Sequence, residues 1–302
     1  MNLVDINTMF ATDAKCRELL VRLRWPEGPQ CLRCKMPVVE LETEKQLFYC
    51  KDCDYQFTVT AGTIFNDSHL PLNKWFIAVL LLCEAKKGMS ACQMQRTLGI
   101  GSYRTAWYLC HRIRAAMVEV NKPMLDVKIE IDETYVGGKA KPGSKKYGLT
   151  GRGTEKEIVI GIRKRNGELR MFHAADVKSG TIAQFIRENV SKDVDVIFTD
   201  DFASYPFAME RAEVPRTRHK TIKHSSHVYV MGDIHTNTVE SAFSLLKRGI
   251  MGTWHRISAK HLAAYLEEMT FRFNRRKNSD LFIDTLRHMI TAPVLTYEKL
   301  TA

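Results

Sequence analysis

Between residues 75 and 83 the chain reads WFIAVLLLC, nine apolar residues without a break. A bilayer span needs about 20, so the run predicts a buried helix, over roughly 72–86, entered through Pro71 and Asn73 and closed at Gly88. Beyond it, Ser90 can cap a short helix, Gly99 can turn the chain, and Ser102 can cap a second helix reaching about 118. Two short helices around a glycine turn outline a helix-turn-helix, although an ordinary three-helix packing unit has the same pattern. In the helix-turn-helix reading, Tyr103 and Arg104 open the helix that would enter a major groove, with Arg112 further along.

After Asn121, Lys122 and Pro123 the period changes from helical to alternating. In VKIEIDETYV, residues 127–136, Ile129 and Ile131 alternate with Glu130 and Asp132, predicting a strand with its acids on one face. A glycine- and lysine-rich stretch follows at 137–156, with Lys139, Lys145 and Lys146; it reads as a basic loop suited to phosphates. Two strands then meet at Asn166-Gly167, a strong hairpin signal. A helix is expected over 181–190. Val194, Val196, Ile197 and Phe198 form a buried strand that delivers Asp200 and Asp201 at its end, and Asp201 is expected to cap the next helix.

In NTVESAFSLLKR, residues 237–248, Glu240 and Lys247 are two helical turns apart on one face, while Phe243 and Leu246 turn toward a core. The last long helix, about 258–277, has Leu262, Tyr265, Leu266, Met269 and Phe273 as core, and Arg272, Arg275 and Arg276 as a basic edge.

The length, 302 residues, allows two or three domains, and the net charge of +11 argues for a polyanionic partner, nucleic acid before membrane. The first ten residues carry no secretory pattern. Four of the eight cysteines fall as Cys31-x2-Cys34, fifteen residues, Cys50-x2-Cys53. That is the spacing of a zinc ribbon, and four thiolates make a closed structural Zn2+ site. Cys16, Cys83, Cys92 and Cys110 have no partner spacing and read as small buried residues.

Asp132, Asp200 and Glu240 come from two strands and one helix. In that order they can converge on two divalent cations, Mg2+ or Mn2+, for phosphoryl transfer.

These stretches together resemble an insertion-sequence DDE transposase of the zinc-ribbon, ISXO-like group, related to the Merlin transposons. The matching segments are the four-cysteine ribbon, AGTIF at 61–65, TAWYLCHRIRAAM at 105–117, EIDETYVGGK at 130–139, FTDDFASY at 198–205, HTNTVESAFSLLKRG at 235–249 and KHLAAYLEEMTFRFNRR at 260–276.

The resemblance implies an α/β protein: an RNase H-like catalytic core preceded by the ribbon and a helix-turn-helix-like domain. The expected boundaries are 1–66, 67–122 and 123–302, the last including the C-terminal helices. It implies a DDE triad of Asp132, Asp200 and Glu240, spaced by 67 and then 39 residues. Lys247 is the matching basic residue seven positions on, with Arg248 beside it on the DNA side. Asn237 lies one turn before Glu240 and can face the same site, but a carboxylate is the better Mg2+ ligand. His235 is expected near the metals.

The implied activity is binding of the element's terminal inverted repeats, metal-dependent strand cleavage and transfer to target DNA. A homodimer or larger assembly on DNA, in the bacterial cytoplasm at the nucleoid and away from membranes, goes with it. A non-catalytic DNA-binding regulator descended from a transposase, and an RNase H-like nuclease, are the alternative readings.

Overall fold

The computed structural model describes residues 1–41, 43, 46–138, 143, 153–222 and 235–302. Its contacts divide the chain into two units: residues 1–118 with 275–302, and residues 119–274.

The first unit begins with α1 (Leu3–Met9) and α2 (Asp13–Arg24), each started by a side-chain cap, from Asn2 and Thr12. A small antiparallel sheet follows, β1 (Val39–Leu41), β2 (Leu47–Cys50) and β3 (Tyr55–Phe57), in the order β1-β2-β3. The hairpin expected between the cysteine pairs is β1–β2, and β3 extends it. Phe48 packs on Phe57 and Trp25, with ring centroids 5.7 and 5.3 Å apart.

The apolar run forms α3 (Leu72–Glu84), which is buried nearly all round. Then come α4 (Ala91–Leu98), capped by the Ser90 hydroxyl, and α5 (Tyr103–Ala116). Gly99 joins them in the left-handed region at φ 58°, a conformation that favours glycine.

The expected boundary that put residues 275–302 with the catalytic domain is corrected here. The helix α10 (Leu281–Thr291) packs on α2, α3 and α5 of the first unit. Its apolar stripe, Phe282, Leu286, Met289 and Ile290, needs a partner, and α3 offers an apolar surface. Phe282 meets Phe76 at 5.8 Å, and the Cys83 thiol meets the Thr285 hydroxyl at 3.2 Å. Cys16, Cys83 and Cys110 are buried as expected, and Cys92 is exposed, against expectation. Burial, then the charge of Asp13, pushes the Cys16 thiol up to about 12.

The second unit is built on a five-stranded mixed sheet. Its strands are β4 (Lys128–Val136), β5 (Glu157–Lys164), β6 (Leu169–Ala174), β7 (Val196–Asp200) and β8 (His219–Ile222), in the order β6-β5-β4-β7-β8. The pairs β4–β5 and β5–β6 are antiparallel, and β4–β7 and β7–β8 are parallel. Asn166, at φ 58°, makes the β5–β6 turn.

The sheet is covered on both faces. Ile129 and Ile131 of β4 join the core formed with α6 (Ser179–Asn189) and α7 (Ser204–Arg211). The opposite face carries α8 (Asn237–Gly249) and α9 (Ala259–Asn274), through Val239, Phe243, Leu246, Leu262, Leu266 and Met269. The expected core residues of both helices are in place. Arg272 departs from the expected basic edge: it is buried, and it pairs with the buried Glu268 at 3.0 Å, one helical turn away. No helix among the described residues is long and apolar enough to cross a membrane.

Candidate metal centres

In the ribbon, the thiols of Cys31 and Cys53 are 3.6 Å apart, those of Cys34 and Cys50 3.4 Å, and those of Cys34 and Cys53 3.7 Å. Zn–S bonds of about 2.3 Å in a tetrahedron place sulfurs about 3.8 Å apart, so the donor set fits Zn2+. Local backbone explains the cluster. Lys35 and Asp54, each immediately after the second cysteine of its pair, take φ of 64° and 51° and fold each pair back on itself. The Tyr49 hydroxyl braces Asp54 at 2.6 Å.

The acidic centre begins on β4. Parallel register sets Glu130 beside Phe198, so two residues further Asp132 and Asp200 come side by side at the carboxyl ends of neighbouring strands. One ligand oxygen each from Asp132, Glu133 and Asp200 lie within 4.8 Å of one another. Desolvation pushes the Asp132 carboxyl well above the usual carboxylate range. The charges of Glu133, Asp200 and Glu240 add to this, and the Glu133 N–H, donating at 2.8 Å, pulls the other way. Crowded oxygens with an excess of negative charge suit a hard divalent cation.

Glu240 on α8 is not among the three carboxylates that cluster within 4.8 Å, but its charge acts on Asp132, and α8 lies close on the sheet. Directly across from Asp132 on β5 is Gly161. A Cβ there would meet Phe243 Cζ at 2.7 Å and Val239 Cγ2 at 2.8 Å, so the missing side chain is what lets the helix dock. Gly161→Ala is expected to lower the unfolding free energy by about 1–3 kcal/mol through overpacking, measured by urea denaturation. A variant as stable as the parent would show that α8 is not seated on this glycine.

The other sequence-singled residues fall as follows. Asn237 is exposed at the first position of α8, and Lys247 and Arg248 are exposed in its last turn. Asp201 does not cap α7. The N-cap is Ala203, with no side-chain bond, and it is Asp200 that accepts from the Phe202 N–H at 3.0 Å. His235 Nδ1 stands 3.3 Å from Glu130 Oε1. Tyr103 and Arg104 are exposed in the first turn of α5.

Arg112 is not on a DNA-facing surface. It is only 3% exposed, lies over Trp75 and Tyr108 at 4.9 and 5.1 Å, and donates to the Asn66 carbonyl at 2.6 Å. The middle of α5 is packed by α3, α4 and α10, and a flat guanidinium stacked on aromatic rings is the cation that such a site accepts. Lys139, Lys145 and Lys146 lie outside the described residues.

Sequence reasoning missed Glu133, Tyr205 and Gly161. The fully buried Tyr205 donates its hydroxyl to Glu133 Oε2 at 2.8 Å. Burial and the charges of Glu133, Asp132 and Asp200 hold its phenol well above the ordinary value. The signal for Glu133 was its place beside Asp132. Strand alternation alone sets Glu133 on the face opposite Asp132.

A four-thiol ribbon together with an acidic centre on an α/β sheet defines a two-unit, metal-binding class of protein. Residues 124–274 match the ISXO2-like transposase domain, and residues 11–56 match the transposase zinc-ribbon domain. The chain belongs to the ISXO2-like transposase family. It is 29% identical over 278 residues to the "uncharacterized protein in transposable element ISH50" of Halobacterium salinarum, covering 87% of this chain and 91% of that protein. Among solved structures it is similar to a chain of the Mos1 strand transfer complex at 10% identity, over 71% of this chain and 74% of that one. The TM-score is 0.30.

Proposed function

We propose that the protein is an active DDE transposase. It binds the terminal inverted repeats of its insertion sequence, cuts a DNA strand at each end and joins the freed 3′-OH to target DNA. The observation that carries this reading is the convergence of Asp132, Glu133 and Asp200 within 4.8 Å, with Glu240 close enough to raise the proton affinity of Asp132. A five-stranded sheet with its first acid on the central strand, in which β5 alone runs against the other four, supports an RNase H-like core. In this reading Asp132, Asp200 and Glu240 would hold Mg2+ or Mn2+, which supplies charge stabilisation to the attacking and leaving oxygens of phosphodiester transfer.

The chain's own residues do the rest. Glu133, oriented by Tyr205, adds negative charge beside Asp132 and Asp200 and is a fourth carboxylate available to the centre. Lys247 lies about 10 Å along α8 from Glu240 and grips the DNA backbone next to the scissile phosphate. Asn237 opens the same helix and contacts the DNA flank. Tyr103 and Arg104, with the lysines Lys139, Lys145 and Lys146, bind the element ends. Paired ends require two active sites, so the working form is a dimer or larger, acting on DNA in the cytoplasm.

The test is strand cleavage and joining by purified protein with Mn2+ or Mg2+, on DNA carrying the element's ends. Glu240→Gln is expected to reduce both steps by at least about 10³-fold, the scale of losing an essential electrostatic group, while DNA binding stays within a factor of a few. Cleavage without joining would identify a nuclease. Tight binding without cleavage in either metal would identify a DNA-binding regulator. A Glu240→Gln protein that cuts as fast as the parent would remove Glu240 from the triad.

A further inference from the structure

The start of α8 is not capped by its own sequence. Thr236 occupies the N-cap position, where a hydroxyl ordinarily accepts from a backbone N–H of the first turn. It makes no such bond, and its hydroxyl donates to Glu240 Oε1 at 2.7 Å. The first-turn N–H groups go elsewhere. Those of Thr238 and Val239 donate to Glu130 Oε2 at 3.0 and 3.1 Å, and the Thr238 hydroxyl donates to the same oxygen at 2.7 Å.

The other oxygen, Glu130 Oε1, takes Arg165 Nε at 2.7 Å. Arg165 in turn lies over the Phe198 ring at 4.0 Å and donates to the His235 carbonyl at 2.9 Å. Arg163, facing Glu130 on β5, donates to the Thr238 carbonyl.

Glu130 is 0% exposed. A buried carboxylate is costly unless both oxygens are satisfied, and here both are, by a guanidinium and by the positive end of a helix. Glu130 also shares its strand and face with Asp132, two residues on, a distance of about 7 Å that the strand backbone holds rigid. Glu240 follows the capped Thr238 amide by two residues, on the first turn of α8. One strand therefore presents both a carboxylate of the acidic centre and the anchor of the helix that carries Glu240.

We propose that Glu130 is a positioning residue: it caps α8 from the neighbouring strand and sets the height and rotation at which Glu240 meets Asp132 and Asp200. This rests on the reading of those acids as a divalent-metal centre. With no exposed surface and both oxygens taken by protein donors, Glu130 acts through the helix.

The test uses the full, zinc-loaded chain with Mn2+ as the probe. Titration calorimetry reads affinity, and hydrogen exchange by mass spectrometry reads the helix. Glu130→Gln keeps the size of the side chain but removes its charge and turns an NH2 toward the α8 amides or Arg165. It is expected to weaken Mn2+ binding by roughly 10–100-fold, the usual cost of losing a group that orients a metal ligand. Exchange should quicken in peptides spanning 235–246 and stay unchanged in those of β4 and β7. Glu130→Asp should recover part of the affinity.

Thr238→Val removes one bond to Glu130 and leaves the Arg165 pair intact. It should shift affinity and exchange in the same direction by less, and it carries the test if Glu130→Gln does not fold. Parent-like Mn2+ affinity and parent-like exchange at α8 in Glu130→Gln would overturn the proposal. So would exchange that rises evenly across the whole sheet, which a general structural role would produce. A parent chain that binds Mn2+ but never cuts DNA defeats the transposase reading, and the Glu130 claim is still decided by affinity and exchange. A parent chain that binds no Mn2+ defeats the metal reading itself, a result that no behaviour of the Glu130 variants could produce.

Discussion

Stripping zinc from the protein with a strong chelator is expected to unfold the ribbon while the β4–β8 unit stays folded. The ribbon's strands are three, four and three residues long, too short to stand without another source of stability. Structural zinc in modules of this size supplies an apparent binding free energy of about 10–16 kcal/mol, more than the rest of the ribbon could replace. Trp25 packs on Phe48 and Phe57 of the ribbon strands, so unfolding of the ribbon should be visible in tryptophan fluorescence. The thiols must lose protons to bind metal, so zinc affinity falls as pH falls. Native mass spectrometry should count one zinc per chain before treatment, and limited proteolysis should then cut between residues 31 and 57 in the stripped form only. Protection of that segment after verified zinc loss would rule out the structural role, and a Cys50→Ser chain that retains zinc as tightly as the parent would remove Cys50 from the set.

Replacing Asp132 by Asn should abolish metal-dependent chemistry and at the same time stabilise the metal-free protein. Desolvation and the charges of Glu133, Asp200 and Glu240 raise the Asp132 carboxyl well above its unfolded value. A group with a raised folded pKa favours folding while it is protonated, and that contribution is lost as pH climbs through the folded value. At pH 8, without metal, Asp132 destabilises the parent whether it is ionised among its neighbours or holds a proton that the unfolded chain has released, and Asn is subject to neither. The Tm of Asp132→Asn should exceed the parent's by at least about 2 °C, the shift that roughly 1 kcal/mol produces in a unit of this size. The gap should narrow as pH falls and close once it is below the unfolded carboxyl value of about 3.9, where the side chain is neutral in both states. Adding Mn2+ should reverse the order, because only the parent gains from binding. Calorimetric melts at three pH values with and without Mn2+ read all of this. A variant less stable than the parent at pH 8 without metal would show that Asp132 is not under the electrostatic strain assigned to it.

The chain's local patterns were sufficient for its elements and for much of its chemistry. Alternation of Ile129 and Ile131 with acids, the Asn166-Gly167 turn, the Gly99 turn and the spacing of Cys31, Cys34, Cys50 and Cys53 each depend on residues within a few positions, and each appears where it was expected. The same holds for Phe243 and Leu246 facing a core while Glu240 and Lys247 do not.

Contacts between distant segments were decided by the tertiary structure alone. Arg112 looked like a groove-facing cation because charge is normally at the surface. Only the aromatic pair Trp75 and Tyr108 and the Asn66 carbonyl make its burial tolerable. The helix α10 joined the first unit because α3 had apolar surface left to cover. Glu133 entered the acidic centre because Tyr205 turned it there. Glu130 could be read as an acid on a strand, but not as the cap of a helix 108 residues later. Periodicity records which way a side chain points from its own element. Which partner waits at the other end is set by the packing of elements far apart in the chain, and that is where α8, carrying Glu240, acquired its seat on β4 and β5.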